Sequence, residues 1–230
     1  MSISKQICQI NYMKKYTSSR FCGSCVVAGT LLCLILMVTL HLLRPDFNPL
    51  RGFLSEYAVG PFGFLVAAAA CVLVATFLML LAGLRLSVHP SGYLTASCGL
   101  LGVVIISLGV CAVFPLDSII QPDGSHPPLT SLSRASIIHI VSSVLLYVSL
   151  IALLLTLSSA YKRDEEWRSF SQTTIFLVFL ILVSFWGLIL VPSYLRGLAQ
   201  RGNGLVVLAW LLLTGLRLRQ AVPSAHGTAA

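Results

Sequence analysis

The sequence predicts an all-α, polytopic integral membrane protein, a bundle of six transmembrane helices with both termini on the cytoplasmic side. Three observations lead there. Of the 230 residues, 57% are hydrophobic and only 10% are charged, whereas a soluble domain needs about a quarter charged residues to cover its surface. The mean hydropathy is +0.93. Apolar runs longer than the ~18 residues that separate a spanning helix from a core helix recur along the chain, with polar interruptions between them. One membrane domain accounts for this length.

Residues 1–20 carry Lys5, Lys14, Lys15 and Arg20 with few large aliphatics, and read as a mobile basic cytoplasmic tail. The first span follows at about 21–43. A basic stretch before an apolar run resembles a signal peptide, but this run is too long and ends in His41 and Arg44 instead of small residues, so it is expected to stay as an anchor. The polar stretch 44–61 comes next. The second span, about 62–86, contains the small-residue run Ala67 to Ala70, a surface that lets a neighbouring helix approach closely. A short turn leads to the third span at about 93–114, which ends in Phe114-Pro-Leu-Asp117. The following loop carries Gln-Pro-Asp-Gly and His-Pro-Pro turn signals.

The fourth span is expected at about 133–160, the charged loop 161–168 reads as solvated, and the fifth span covers about 170–191. The sixth is the least regular. The purely apolar stretch 205–218 gives roughly 21 Å at 1.5 Å per residue, short of a ~30 Å core. The helix must therefore begin near Leu198, which brings Gln200, Arg201 and Asn203 to the membrane edge. Residues 220–230 are expected to be disordered.

Charge fixes the orientation. The net charge is +8, from 15 Lys and Arg against 7 Asp and Glu. With the N-terminus inside, Lys5, Lys14, Lys15, Arg20, Arg85, Lys162, Arg163, Arg168, Arg217 and Arg219 are cytoplasmic. Only Arg44, Arg51, Arg134, Arg196 and Arg201 are then outside, as the positive-inside rule prefers. This asymmetry explains the basic balance without nucleic acid, for which no basic stripe interleaved with aromatics exists. Tyr16, Tyr93, Tyr161 and Trp167 inside, with Tyr57 and Tyr194 outside, fit interfacial belts. Cys22-Gly-Ser-Cys25 reads as two helix residues one turn apart. The echo between Leu50-Arg-Gly-Phe and Leu195-Arg-Gly-Leu makes a triplicated hairpin conceivable, though four residues match by chance easily.

Polar groups at a bilayer are costly and call for a role. Under this topology they gather on the outer side: His41, Ser55, Glu56, Asp117, His126, His139, Arg196, Gln200 and Arg201. Ser136, His139, Ser143 and Tyr147 form one stripe at helical spacing and are expected to face the bundle interior. There His139 either pins helix packing or serves as a ligand or acid–base group. Glu56, Asp117 and His139 are the candidate catalytic groups, and Ser55, Arg196, Gln200 and Arg201 complete the candidate binding set. Glu56 or Asp117 could equally form structural ion pairs. His41, His126, His139 and Asp117 are the ligands available to zinc, which wants three protein ligands and an open position. No H-x-x-x-H or H-E-x-x-H pair supports it, and no Gly-x-Ser-x-Gly elbow supports a Ser55–His139–Asp117 triad.

Leu54-Ser-Glu-Tyr-Ala-Val-Gly-Pro61, Phe114-Pro-Leu-Asp117, Ile138-His139 and Gly197-Leu-Ala-Gln-Arg201 occur in this order, each at the outer end of a span. Together they resemble a bacterial and archaeal family of six-span membrane proteins catalogued as domain of unknown function 998, over about 26–218. The resemblance implies the fold and a shared constellation of Ser55, Glu56, Asp117, His139 and Arg201. It implies no substrate, and this chain has Gln200 where family members often carry an acid. The expectation is a cell-membrane protein with an outward-opening polar pocket for a lipid or other amphiphile. The alternatives are a membrane-embedded enzyme acting on such a substrate, hydrolytic or acid–base and with or without zinc, and, third, a small-molecule transporter.

Overall fold

The described residues form six long helices. The computed structural model describes residues 3–116 and 129–220. The helices are α1 (Ile3–Leu43), α2 (Phe64–Ser87), α3 (Gly92–Val113), α4 (Arg134–Lys162), α5 (Arg168–Leu190) and α6 (Arg196–Gln220). Single 3-10 turns occur at Leu54–Ala58, Leu129–Ser131 and Ser193–Leu195. No strand occurs among the described residues. Asp117 and His126 lie outside the described residues, as does the tail beyond Gln220.

Five stretches are long and apolar enough to cross a membrane: Met13–Leu43 within α1, and the whole of α2, α3, α4 and α5. Large side chains such as Leu42, Phe64, Ile106, Val113 and Leu190 are more than two-thirds exposed on the outside of the bundle. Water would penalise that arrangement, and hydrocarbon accepts it. These are the helices of a membrane protein. α6 is not among the five. Arg196, Gln200, Arg201 and Asn203 occupy one end and Arg217 and Arg219 the other, so its apolar middle is short.

The first helix departs from expectation at its start. It begins at Ile3, where a mobile tail to residue 20 was predicted. Nothing in that segment breaks a helix, since it holds neither Gly nor Pro, and propagation from an established helix costs little per residue. Ser19 is also fully buried, with its hydroxyl bonded to Ser87 Oγ and 3.3 Å from the Leu218 carbonyl.

Each helix packs against its neighbours in sequence, and α6 returns to pack on α1, so the six form a closed ring. Glycine sets the closest approach. A Cβ on Gly23 of α1 would come within 2.7 Å of the Gly215 carbonyl of α6, and one on Gly83 of α2 within 2.8 Å of Leu218. Backbones this close gain dispersion contacts, the main attraction between helices in lipid. Cys22 and Cys25 are free thiols on α1, one buried and one half-buried.

The two ends of the ring differ. Around the α2–α3 and α4–α5 connections the interior is solid, filled by Leu80, Leu84, Leu101, Leu153, Leu157 and Trp210. Tyr161 and Trp167 stack there at 4.8 Å and are fully buried, which corrects their assignment to an interfacial belt. The charged loop is not wholly solvated either. Asp164 is only 4% exposed. It accepts hydrogen bonds from the backbone N–H groups of Glu166 (3.0 Å), Trp167 (3.2 Å) and, across to the α2–α3 turn, His89 (2.8 Å). Three donors satisfy a buried carboxylate. The opposite end of the ring carries the candidate site.

Candidate functional site: a clamped loop and an apolar cavity

The segment between α1 and α2 folds over one end of the ring and is held there by two arginines. Arg44 continues the last turn of α1 and is 5% exposed. Its Nε and Nη2 donate to the Asp46 carboxylate at 2.8–3.2 Å, and its Nη1 donates to the Val59 and Pro61 carbonyls, each at 3.0 Å. The guanidinium also lies 4.4 Å from the Phe47 ring centroid. One side chain thus ties the start of the loop to its end. The bond to Asp46 holds that carboxyl below the usual carboxylate range. The return into α2 is tight, with Gly60 at φ +90 and Phe62 at φ 63. Glycine adopts that region freely, whereas a phenylalanine there is strained.

Arg201 fastens the loop to α6. Its Nε donates to His41 Nε2 at 2.8 Å, its Nη1 to the carbonyls of Gly52 at 2.7 Å and Gly197 at 2.9 Å, and its Nη2 to the Tyr57 hydroxyl at 3.3 Å. The planar fork is suited to such divergent acceptors. Because His41 Nε2 accepts, its proton sits on Nδ1, which donates to the Met37 carbonyl at 2.6 Å. Tyr57 is fully buried between the rings of Phe47 (4.7 Å) and His41 (5.1 Å). It is therefore a core residue of the loop, not a belt residue.

Backbone contacts complete the clamp. Leu198 N–H donates to the Leu50 carbonyl at 3.1 Å, and Leu54 N–H donates to Gln200 Oε1 at 2.7 Å. Gly197 lies against the loop so closely that a Cβ would stand 2.5 Å from the Gly52 carbonyl and 2.7 Å from that of Pro49. The Arg-Gly echo in the sequence thus joins two places where the chain meets itself. Glu56, 2% exposed, accepts from Phe53 N–H at 3.1 Å and caps its own 3-10 turn.

Beneath the clamp lies a cavity of about 260 Å³. All its helical walls come from the loop end of the ring: Cys33 and Met37 of α1, Val66 to Phe77 of α2, Val104 to Ala112 of α3, His139 to Leu150 of α4, and Gln200 to Leu208 of α6. Leu54 and Ser55 of the 3-10 turn line it too. Among the described residues no Asp, Glu, Lys or Arg is in the lining. Its polar members are Ser55, His139, Tyr147, Gln200, Asn203 and the thiols Cys33 and Cys111.

His139 is tied to the end of α3. Its Nδ1 donates to the Phe114 carbonyl at 2.7 Å, so in the neutral ring Nε2 is the acceptor. Cys111 lies 3.4 Å from Ser143 Oγ and 3.7 Å from the His139 carbonyl. The stripe expected on α4 thus faces inward. Ser136 is fully buried, Ser143 meets α3, and Tyr147 lines the cavity.

The predicted constellation therefore divides. Ser55, His139 and Gln200 line one cavity. Arg201, a candidate binding residue, belongs to the clamp, with four hydrogen bonds to protein acceptors. Glu56 lies at the clamp, outside the cavity lining, and Arg196 opens α6. Asp117 and His126 are not among the described residues. Among those that are, no group of three or more His, Cys, Asp and Glu side chains is placed to hold a metal ion. Both ring nitrogens of His41 are already engaged.

Asn203 was not singled out from the sequence. It is 2% exposed and lines the cavity, yet neither amide atom has a hydrogen-bond partner among the described residues. A buried amide left this way costs about 1–3 kcal/mol. Its place one turn beyond Gln200, at the entry to the apolar middle of α6, was the available signal.

A family model described as protein of unknown function (DUF998) matches residues 27–217. No curated protein and no solved structure matches the chain significantly. The match spans α2 to α5 completely, α1 from residue 27 to its end, and nearly all of α6. The chain belongs to the DUF998 family.

Proposed function

We propose that this protein is a six-span cell-membrane protein with both termini in the cytoplasm, which binds a lipid or other amphiphile in a cavity at its extracytoplasmic end. The observation that carries the reading is the cavity itself. It is concave, walled by apolar side chains from five helices, and dotted with a few uncharged polar groups at the loop end, the usual composition of a site for an apolar ligand. The positive-inside count sets its side. The short apolar middle of α6 is no obstacle, because Arg219 can extend to one interface, Arg217 is bonded to the Glu166 carbonyl and Arg201 is satisfied within the clamp.

Binding is favoured over catalysis by the division of the charged groups. Glu56 caps its own turn outside the lining, and Arg201 makes four hydrogen bonds to protein acceptors. A concerted acid–base pair needs both partners within ~3 Å of the reacting atoms. Amphiphile binding needs only the pocket.

Two measurements test the reading. A membrane-impermeant maleimide applied to intact cells should label Asn48→Cys and leave Lys162→Cys unlabelled, and the reverse pattern would overturn the orientation. The purified protein in lipid nanodiscs should bind a photoactivatable single-chain amphiphile, and Ala70→Phe, which projects a ring into the cavity wall, should abolish the saturable part. Equal labelling of that variant would remove the cavity as the binding site.

A further inference from the structure

We propose that the cavity selects a single-chain amphiphile whose head is uncharged, a long-chain alcohol or ester, and that Asn203 is the residue that binds the head. The inference rests on the binding reading above and specifies its ligand.

The charge of the lining excludes an ionised head. Among the described residues no Lys or Arg is in the cavity wall, so a carboxylate or phosphate would enter without a counter-ion from them, and burying an unpaired charge costs far more than burying a hydroxyl. Arg201, the nearest cation in sequence to Asn203, is turned to His41, Tyr57 and the Gly52 and Gly197 carbonyls.

The polar complement suits a neutral head. Asn203 brings two N–H donors and one carbonyl acceptor, all without partners among the described residues although the side chain is 2% exposed. Gln200 uses Oε1 to accept from Leu54 N–H, which orients its amide N–H groups as donors. His139 donates from Nδ1 to Phe114, leaving Nε2 as an acceptor. A hydroxyl both donates and accepts, and an ester accepts, so each finds complements here.

Size sets the chain. The cavity holds about 260 Å³, against a 150 Å³ apolar cavity that a six-carbon ring fills. That is room for on the order of ten heavy atoms, one chain and not two. A longer chain would extend between helices into lipid.

The test uses the full-length protein in nanodiscs and three diazirine probes sharing one twelve-carbon chain, ending in a primary alcohol, a methyl ester or a carboxylate. Saturation of cross-linking, mapped to peptides by mass spectrometry, gives the affinities. Alcohol and ester should label α2 and α6 peptides and bind at least ten-fold more tightly than the carboxylate at pH 8. Asn203→Ala should weaken the alcohol about three- to ten-fold, the worth of one hydrogen bond, and leave the carboxylate unchanged. Asn203→Leu, which removes the unpartnered amide, should raise the melting temperature of the ligand-free protein while losing the preference for the alcohol. Carboxylate binding as tight as alcohol, or an Asn203→Ala protein with unchanged alcohol affinity, would overturn the assignment of head and residue and leave the cavity reading intact. Failure of all three probes to show saturable labelling would overturn both.

Discussion

Gly197→Ala tests the clamp most directly. The added methyl would stand 2.5 Å and 2.7 Å from two backbone oxygens of the loop and 2.9 Å from Arg201 Nη1. Reaching ordinary contact requires the loop to retreat by roughly 0.7–0.9 Å, since unstrained Cβ contacts begin near 3.4 Å. That retreat lengthens the Leu198–Leu50 bond from 3.1 Å and the Arg201–Gly52 bond from 2.7 Å beyond useful range. One neutral and one charge-assisted bond are worth together about 2–4 kcal/mol. Alanine returns at most ~1 kcal/mol through helix propensity, so the net loss is about 1–3 kcal/mol. For a chain of this length that lowers the melting temperature by roughly 3–10 °C. Gly202→Ala is the control. It sits in the same helix with nothing within 4 Å of its Cβ, and should gain the propensity term alone, about 2–4 °C. Thermal unfolding in detergent can be followed by labelling of the buried thiols Cys22, Cys33 and Cys98 with a thiol-reactive fluorophore. If Gly197→Ala melts at the temperature of Gly202→Ala, the clamp is not held at this contact.

Four further predictions concern the two ends of the ring. A double-mutant cycle of His41→Phe with Arg201→Ala should show a coupling of at least ~1 kcal/mol, and additivity within about 0.3–0.5 kcal/mol would mean the two do not interact. Arg201→Lys should destabilise nearly as much as Arg201→Ala, because an ammonium cannot reach four acceptors spread in one plane; rescue by Lys would refute the geometry. At the other end, Asp164→Ala should cost about 2–5 kcal/mol through three stranded backbone donors. Asp164→Asn should cost about half, since a carbonyl at Oδ1 keeps Glu166 and Trp167 while the amide faces His89. Equal melting points for both variants would argue that Asp164 does not tie the two turns. The Arg44 bond lowers the Asp46 pKa, so its stabilisation is full above the ordinary carboxylate value near ~4 and is lost as pH falls through the lower folded value. The melting temperature of wild type minus that of Asp46→Asn should therefore shrink on acidification, and the difference is small because the carboxyl is exposed. A pH-independent difference would remove this pair from the clamp.

Hydropathy located the helices because a lipid-facing wall demands apolar residues on every turn, and α2 to α5 satisfy it without exception. The beginning of α1 was misread because low hydropathy distinguishes what lipid accepts, not what a helix accepts. Lys14, Lys15 and Arg20 are good helix formers. The burial of Asp164 and Trp167 was hidden for a related reason. A run of charges looks solvated one residue at a time, and only the folded turn shows that one carboxylate collects three backbone donors. The pairing of Gly52 with Gly197 is a contact across most of the chain. Its trace in the sequence, a repeated Leu-Arg-Gly, suggested a repeated hairpin and gave no sign that the two copies touch.

The division between clamp and cavity changes what the polar residues are for. Read along the sequence, Ser55, Glu56, His139, Gln200 and Arg201 look like one reactive cluster, because all are costly at a bilayer edge and all fall on one side. Space separates them by charge. The strongly ionising groups Arg44, Arg201, Asp46 and Glu56 are drawn into the loop and its anchoring points, where carbonyls, a phenol and an imidazole serve the arginines, Arg44 serves Asp46, and the Phe53 N–H serves Glu56. Among the described residues, no Asp, Glu, Lys or Arg is left around the cavity. A membrane protein gains from that separation, because a charged wall would hold water in the cavity, while a neutral one lets an apolar chain displace it. The loop also passes both functions through adjacent residues. Leu54 and Ser55 line the cavity, while Glu56 and Tyr57 are held by the clamp. Loosening Arg201 should therefore disturb ligand retention even though Arg201 is no part of the lining. An Arg201→Ala protein that kept wild-type alcohol affinity at a temperature where it remains folded would show that the clamp and the cavity are independent.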